Sequence, residues 1–421
     1  MTFRKMKCIL VAVIGISGIF WAQEAKENAL SLEQCITLAL RENPLFLSSL
    51  EQYRASLARI NQAKALPQPS LDFDSDLQPS LFNFKDSGES YLGFSQTVEF
   101  PGKRSLRGKI ASRESDEILS EIDLLKLDIS FQVKQAFYGI LLAQEKIKYA
   151  QQDLELSQDF LEKAELKHAA GDVAKAEVLR AHVEASKAAN AVRVAQNEKR
   201  LAAAMLNFLL GRKKYEPIEI QGEIKRPFVT LEVEELRQRA FSFRPEIKRI
   251  NFALERETLK KKQAYLSYLP DFDLGISQHR LAGEQKTWDF TVSLPIPIFF
   301  WQPKKGEIAE AKSNMESLKR EAEYLKNAIS LEVEEAFTNA STASNQIRLF
   351  EEEILTQAEE VYNMFLFSFQ EGEIGGIELI EARRTLIEAR KAYADALYNY
   401  SVTIAVLEKS VGQALEGGED D

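Results

Sequence analysis

Residues 129–137 read ISFQVKQAF, and residues 329–337 read ISLEVEEAF. The apolar positions that the two segments share recur at spacings of three and four, which places them along one side of a helix. The same spacing continues on both sides, through Ile122, Leu125, Ile140, Ala143 and Ile147 in the first copy and Ala340, Ala343, Ile347, Phe350 and Ile354 in the second. This near-heptad pattern predicts two long helices that pack as coiled coils.

The repetition extends over most of the chain. Identical residues return in the same order after about 200 positions, as Pro44 and Pro245, Pro69 and Pro270, Asp72 and Asp273, Gly171 and Gly372, Gly211 and Gly412. Two unrelated helical stretches would not keep this register over such a length. We therefore predict an internal duplication, with a first structural repeat at residues 30–215 and a second at residues 230–414.

Each repeat also contains a predicted β-hairpin, at residues 70–100 and 271–298. In the first hairpin the apolar residues Leu71 and Phe73 alternate with Asp72, Asp74 and Asp76. In the returning strand, apolar residues also alternate with the rest: Leu92, Phe94, Val98 and Phe100 lie on one face, and Tyr91, Gly93, Ser95, Thr97 and Glu99 lie on the other. The second hairpin shows the same alternation, of Trp288, Phe290, Val292 and Leu294 with Asp289, Thr291 and Ser293. A period of two predicts strands with one apolar and one polar face.

The two ends of the chain carry different signals. Arg4, Lys5 and Lys7 precede an apolar run at residues 8–21, which predicts a signal peptide at residues 1–22, with a retained anchor as the alternative. Cleavage would leave Cys35 as the single cysteine, so no intrachain disulfide is expected. Residues 415–421 form an acidic tail. The net charge of −10 argues against a nucleic-acid partner.

The hairpins predict a membrane-embedded assembly. Strands of about ten residues can cross a bilayer when tilted, but four strands cannot close a barrel. Open edges in lipid would leave unpaired backbone groups, each costing several kcal/mol. A dimer would give eight strands and a filled interior, so a trimer with twelve strands is preferred for a duct. The apolar faces would then contact lipid, and the lumen-facing residues would be Asp72, Asp74, Asp76 and Glu99.

The turns that follow the long helices carry a family resemblance. Residues 171–181 read GDVAKAEVLRA, and residues 372–382 read GEIGGIELIEA. With the duplicated order of hairpins and long helices, residues 30–414 resemble the TolC-like outer-membrane efflux proteins. The resemblance implies a mainly α fold with two β-hairpins, and a homotrimer whose 12-stranded β-barrel is continued by a periplasmic α-helical barrel.

The resemblance also implies a function and its partners. The chain would be a passive exit duct in the outer-membrane lipid for small molecules or metal cations, docked to a periplasmic adaptor (membrane fusion protein) and an inner-membrane efflux pump. The helical hairpin tips at residues 168–177 and 370–378 would dock the adaptor, through Gly171, Asp172, Val173, Gly372, Glu373 and Ile374. The segment VEFPGKR at residues 98–104 is similar to family members that serve heavy-metal cation pumps.

Glu378 and Glu381 match the positions where the family places carboxylates at the channel aperture. Threefold symmetry would make them two rings of like charge, which favour cations. The alternative is that both are solvated acids at a helix start, where the helix dipole favours them. The first tip has Glu177 and Arg180 at these places, so it is not the same gate.

Two other classes of protein remain open. A periplasmic coiled-coil adaptor or scaffold would have one helical hairpin flanked by β-rich domains, rather than two hairpins each paired with strands. A periplasmic enzyme would need a catalytic site, and the sequence contains no nucleophile motif, phosphate loop or dinucleotide fingerprint. His168 and His182 flank the first tip, but no further ligand supports a metal site there. We predict no catalytic residues and no cofactor.

Overall fold

The computed structural model describes residues 29–76, 80, 87–213, 215–224, 232–296 and 303–415. The predicted signal peptide at residues 1–22 lies outside the described residues. So do residues 77–79 and 81–86 of the predicted first hairpin and residue 214 of the first repeat. In the second repeat, residues 230–231 at its start and residues 297–298 of its hairpin are outside, as are residues 416–421 of the acidic tail.

Both repeats have the same order of elements. The first contains α1 (Leu32–Glu42), α2 (Pro44–Ala63), β1 (Ser70–Asp76), β2 (Glu89–Val98), α3 (Lys103–Ala170) and α4 (Lys175–Leu209). The second contains α5 (Val233–Phe243), α6 (Pro245–Leu266), β3 (Phe272–Leu281), β4 (Thr287–Ser293), α7 (Pro303–Leu349), a π-helical turn (Phe350–Ile354), α8 (Leu355–Gln370) and α9 (Gly376–Val411). The predicted mainly α chain with two β-hairpins is confirmed. No helix in the described ranges has the length and apolar character needed to cross a bilayer.

The first helix begins and ends at local sequence signals. Ser31 accepts a hydrogen bond from the Gln34 N–H, and the Gln34 side chain accepts one from the Ser31 N–H, which is a capping box. Asn43 then leaves the helical conformation, and its side-chain oxygen accepts the N–H of Phe46 in the next helix. Pro44 lacks an N–H, so it is well suited to the first position of α2.

The four strands form one antiparallel sheet in the order β1-β2-β3-β4. Its central contact is the pairing of β2 with β3, which joins the hairpin of the first repeat to the hairpin of the second. Within the described chain, β1 and β4 each have one strand neighbour, so the sheet has two open edges.

The chain has two compact units, and each draws on both repeats. One unit comprises the described parts of Met1–Leu47, Leu124–Arg244 and Ala328–Asp421, and it contains both helix turns. The other comprises Ser48–Asp123 and Pro245–Asn327 and contains the sheet. The repeats are therefore units of sequence and element order, whereas the compact units are defined by contacts.

The repeated segments 129–137 and 329–337 both lie in the core of the first unit. Ile129 and Val133 of α3 and Ile329 and Val333 of α7 are buried. Each such side chain contributes roughly 1.5–3 kcal/mol when it is fully removed from water. The shared apolar residues are conserved between the two copies because they form the core.

The π-helical turn accounts for an irregularity in the repeat spacing. Ile129 and Ile329 are 200 positions apart, whereas Gly171 and Gly372 are 201 apart. The second repeat therefore has one additional residue between these positions, and the π-helical turn at Phe350–Ile354 lies between them. A π-turn closes its hydrogen bonds over five residues instead of four, so it accommodates one extra residue without ending the helix.

Candidate functional site

The two helix turns have the same backbone geometry. Gly171 has φ 89° and Gly372 has φ 78°, in the left-handed region that glycine enters at little cost. After each glycine the chain bonds back five residues, from Asp172 N–H to the Lys167 carbonyl and from Glu373 N–H to the Ser368 carbonyl, both at 2.9 Å. This pattern satisfies the last carbonyls of α3 and α8 and reverses the chain.

The predicted docking residues on these turns alternate in exposure. Asp172 and Glu373 are exposed, whereas Val173 and Ile374 are half-buried. The Val173 carbonyl lies 2.8 Å from His168 Nδ1, and Ile374 packs against a buried apolar cluster that includes Phe369 and Leu379. Each turn therefore presents a glycine and an acid to solvent and anchors itself through the following aliphatic side chain.

An apolar cluster joins the two turns. Its buried members come from all four helices, and they are Phe160 and Ala164 of α3, Ala181 of α4, Phe369 of α8, and Leu379 and Ile380 of α9. The rings of Phe160 and Phe369 have centroids 5.5 Å apart. The tips at residues 168–177 and 370–378, which are about 200 positions apart in sequence, are thus packed side by side.

Glu177 makes a polar contact across this packing. Its Oε1 accepts a hydrogen bond of 2.9 Å from the backbone N–H of Gly376, the first residue of α9. The first N–H groups of a helix have no partner within the helix, and the residue preceding α9 is Gly375, which has no side chain to cap them. Glu177 therefore supplies the acceptor from the other turn.

The predicted gate residues Glu378 and Glu381 both lie on the exposed side of α9, opposite the buried Leu379 and Ile380. Glu381 Oε1 lies 3.3 Å from Arg384 Nη1 on the same helix. Arg384 also reaches Glu388, with Nε and Oε1 3.5 Å apart. The two carboxylates consequently differ, because Glu381 has a cation beside it.

Arg383 is a functional candidate that sequence reasoning missed. Its side chain is 7% exposed, and its Nη1 donates a 2.6 Å hydrogen bond to Ser157 Oγ of α3. Its Nε lies 3.3 Å from Asp153 Oδ1, and its Nη2 lies 3.5 Å from Glu184 Oε2 of α4. One guanidinium thus connects α9 to both helices of the first turn.

The sequence does contain a signal for this role. Arg383 follows Leu379 and Ile380 at helical spacing and precedes Leu386 and Ile387 at the same spacing. A charged residue in the apolar stripe of a helix is buried when it has partners. Tyr362 of α8 packs nearby, and burial raises the pKa of its phenol, against a smaller lowering by Arg383.

The strand register places the predicted lumen acids on one polar face. Asp72 and Asp74 pair with Gly93 and Tyr91 of β2, and Asp76 pairs with Glu89. The same face continues across the sheet through Ser95, Thr97, Asp273, Gly275, Ser277, His279, Thr287, Asp289, Thr291 and Ser293. Because side chains alternate along a strand, one register aligns all of these residues on one side.

Glu99 is placed differently from the other predicted lumen acids. It follows the last residue of β2, its side chain is 13% exposed, and Arg107 binds both of its oxygens through Nη1 and Nη2. Its charge is therefore largely compensated within the chain.

The opposite face of the sheet is apolar and open. Trp288, Phe290 and Val292 of β4 are exposed, as are Leu71 and Phe73 of β1. Apolar patches of this extent on a protein surface indicate contact with a partner or a membrane.

Comparison with known proteins decides the family. The family model for outer membrane efflux proteins matches residues 35–212 and, a second time, residues 236–413. This chain is a member of the outer membrane efflux protein family. The predictions of an efflux duct and of an outer-membrane location are confirmed, and the alternative of an adaptor or scaffold is set aside.

Individual relatives of this efflux protein agree with the family. It is 25% identical over 402 residues to the cobalt-zinc-cadmium resistance protein CzcC of Cupriavidus metallidurans, an alignment that covers 91% of this chain and 90% of the relative. Among solved structures, CusC shares 18% identity at a TM-score of 0.76, covering 91% of this chain and 92% of CusC. The open state of the Neisseria gonorrhoeae MtrE outer membrane channel shares 17% at 0.76, covering 93% and 91%. The predicted TolC-like fold is confirmed.

Proposed function

We propose that three copies of this efflux protein form an outer-membrane exit duct for metal cations, in which each copy contributes its four strands to a closed barrel. The observation that carries this proposal is the four-stranded sheet, which has one polar face, one exposed apolar face and two open edges. Open edges in a bilayer are costly, and closure through copies of the same sheet removes them. Three copies give twelve strands, enough to leave an aqueous interior.

The charge of the polar face supports cations as the cargo. Its strands carry Asp72, Asp74, Asp76, Asp273 and Asp289, and the histidine on this face, His279, lies 2.6 Å from Glu89. Carboxylates that line a pore attract cations and repel anions. The similarity to a cobalt-zinc-cadmium resistance protein agrees with this charge, so we propose divalent metal ions as the transported class.

The paired helix turns form the end of the protein that is proposed to face the pump. Gly171, Asp172 and Val173 on one turn, with Gly372, Glu373 and Ile374 on the other, would form the surface that a periplasmic adaptor binds. Glu378 and Glu381 would line the aperture that opens on docking. The energy would come from the inner-membrane pump, and this chain would supply the path without catalysis.

Conductance recordings on the purified protein and metal sensitivity of a deletion strain test this function together. The purified protein should run as a trimer in detergent and conduct in planar bilayers with a preference for cations over anions. Changing Asp72, Asp74 and Asp76 to asparagine should reduce that preference without loss of the trimer. A strain that lacks the gene should become sensitive to cobalt, zinc or cadmium. A monomer that leaves the cell envelope without detergent would refute the duct, and anion-selective conductance would refute the cargo.

A further inference from the structure

A cavity of about 880 Å³ lies where β2 leads into α3, within the unit that contains the sheet. Its wall includes the end of β2, the first turns of α3 and the residues that follow α2. We propose that this cavity binds the phosphate headgroup of an anionic phospholipid in the periplasmic leaflet of the outer membrane.

The cavity is lined by three cationic side chains, Lys64, Arg104 and Lys109. Within the described residues, neither Lys64 nor Lys109 has a carboxylate partner, and Arg104 donates a hydrogen bond from its Nε to the Lys64 carbonyl. The carboxylate in the lining is Glu99, and Arg107 binds both of its oxygens. The cavity therefore retains uncompensated positive charge, which favours an anion.

The wall of the cavity is held in place by hydrogen bonds to the last residue of α2 and to the two residues that follow it. Arg107 donates from Nε to the Ala63 carbonyl and from Nη2 to the Ala65 carbonyl, and Arg104 donates to Lys64. The last carbonyls of a helix have no partner inside the helix, so arginines are well suited to bind them. These contacts fix α2 against the start of α3 before any ligand arrives.

Gly108 positions one of the cations. A Cβ on Gly108 would lie 2.7 Å from Lys64 Cγ and 2.8 Å from Lys64 Cε. The aliphatic part of the Lys64 side chain therefore lies directly against the α3 backbone at Gly108, and Lys64 and Gly108 both line the cavity. A glycine within this long helix, where alanine would be more stable, is consistent with this close packing.

The other walls indicate an amphiphile rather than a free anion. The lining also includes the apolar residues Leu66, Val98, Phe100 and Pro101, and the cavity is far larger than a single phosphate group. Val98 continues the alternation of Leu92 and Phe94, which are exposed on the apolar face of β2. A glycerophospholipid places an anionic phosphate next to acyl chains, and this combination matches the cationic and apolar walls.

The position of the cavity matches the level of the lipid headgroups. It lies at the end of the sheet where the strands join the helices, and the helical part of the family is periplasmic. Clusters of lysine and arginine at a membrane surface bind anionic lipids through their charge. This inference rests on the proposed insertion of the strands in the bilayer.

The test compares two lipids with identical acyl chains on the purified protein in detergent. Native mass spectrometry should show that phosphatidylglycerol is retained in preference to phosphatidylcholine. The variant K64Q/R104Q/K109Q should lose about 100-fold in affinity for phosphatidylglycerol, since each basic residue near a lipid surface contributes about 1 kcal/mol. The charge-matched control R193Q/K199Q/K312Q, on α4 and α7, should bind as the unmodified protein does.

Gly108→Ala is a second variant that keeps every charge. The added Cβ displaces the Lys64 side chain, so affinity for phosphatidylglycerol should fall about fivefold, the contribution of one basic residue. Alanine favours the helix, so this variant should fold normally. This variant separates the effect of the position of the Lys64 ammonium on lipid affinity from the effect of the total charge of the protein.

Three results would overturn the lipid site. These are equal retention of the two lipids, unchanged affinity in the triple variant, and complete displacement of phosphatidylglycerol by millimolar inorganic phosphate, which would indicate a site for a free anion. The failure of the proposed function is separate, because it would appear as absence of a conducting trimer or of outer-membrane fractionation, whatever lipid the protein binds.

Discussion

Glu177 and Gly376 join the two helix turns of this efflux protein through a hydrogen bond of 2.9 Å from the Gly376 N–H to Glu177 Oε1. The carboxylate also lies close to the helix start, where the helix dipole favours negative charge. The position equivalent to Glu177 in the second repeat is Glu378, which is exposed. Equivalent acids in the two repeats therefore serve different purposes, because one is covered by the neighbouring turn and the other is not.

Gly376→Ala should loosen the contact between the turns. The added Cβ would lie 2.7 Å from Phe160 Cζ and 2.9 Å from Glu177 Oε1. Overpacking of this kind typically costs about 1–3 kcal/mol, so we expect a lower Tm for the purified trimer and faster hydrogen exchange at the start of α9.

The matched control for this change is Gly375→Ala, one residue earlier. Its Cβ would meet Glu378 Oε2 at 3.1 Å, and that oxygen is at the end of a flexible, exposed side chain. We expect little change in Tm or exchange. If both alanine variants behave alike, the packing of Gly376 against Phe160 does not hold the turns together.

Arg383→Ala should destabilise the turn region far more than Arg384→Ala. Removal of Arg383 takes the cation away from Asp153, whereas Glu184 keeps an ion pair with Lys187 at 2.7 Å. Breaking a buried ion pair costs 3–5 kcal/mol in general, and we expect about 3 kcal/mol here because both carboxylates keep some access to water. Arg384 forms exposed pairs, which contribute at most about 1 kcal/mol.

Urea unfolding of the two arginine variants, monitored by far-ultraviolet circular dichroism, measures this difference in the free energy of unfolding. Arg383→Lys should not restore stability, because an ammonium cannot reproduce the separate contacts that the planar guanidinium makes to Ser157, Asp153 and Glu184. Equal stability of the Arg383 and Arg384 variants would contradict the assignment of Arg383 as the residue that connects α9 to the first turn.

Glu378→Gln and Glu381→Gln should weaken block of the channel by multivalent cations, and the first change should have the larger effect. Arg384 already offsets the charge of Glu381, at 3.3 Å, whereas Glu378 forms no ion pair with any of the described residues. Arg384→Gln should therefore strengthen block, because it removes this compensation. Bilayer recordings with and without the blocking cation measure the effect, and unchanged block in the double glutamate variant would refute the proposed gate.

Gly171→Val and Gly372→Val should abolish metal export while leaving the trimer intact. An added Cβ meets no atom within 4 Å at either position, so the backbone alone opposes these changes. A left-handed conformation costs an ordinary L-residue roughly 1–2 kcal/mol, whereas asparagine tolerates it better. The asparagine variants are accordingly the control, and they should retain most of the metal tolerance that the valine variants lose.

Much of the fold could be predicted from local signals. Pro44 and Pro245 mark helix starts, Gly171 and Gly372 mark helix reversals, and the alternation around Asp72 and Asp74 marks strands. Each signal reflects the conformational preference of a short segment, so it can be read without knowing the rest of the chain. The position of the π-helical turn at Phe350–Ile354 was not predicted, because the one-residue change in repeat spacing places the extra residue only between Phe337 and Gly372.

The candidate site was less predictable. The docking residues and the aperture acids are predictions from a family resemblance, whereas Arg383 lies in an apolar stripe that predicts core packing. Glu99 was grouped with the strand acids because it continues their alternation, although it lies beyond the end of β2 and pairs with Arg107. Alternation describes the direction of a side chain and does not reveal a partner on another element.

The sequence by itself determined the duplication, the order of helices and strands, and the two faces of the sheet, because these follow from periodicity and from the backbone preferences of glycine and proline. Only the tertiary structure decided that Glu177 caps α9, that Arg383 is buried among partners from two other helices, and that Lys64, Arg104 and Lys109 surround one cavity. These relationships depend on distances between residues that are far apart in the chain, and such distances are set by packing rather than by local conformation.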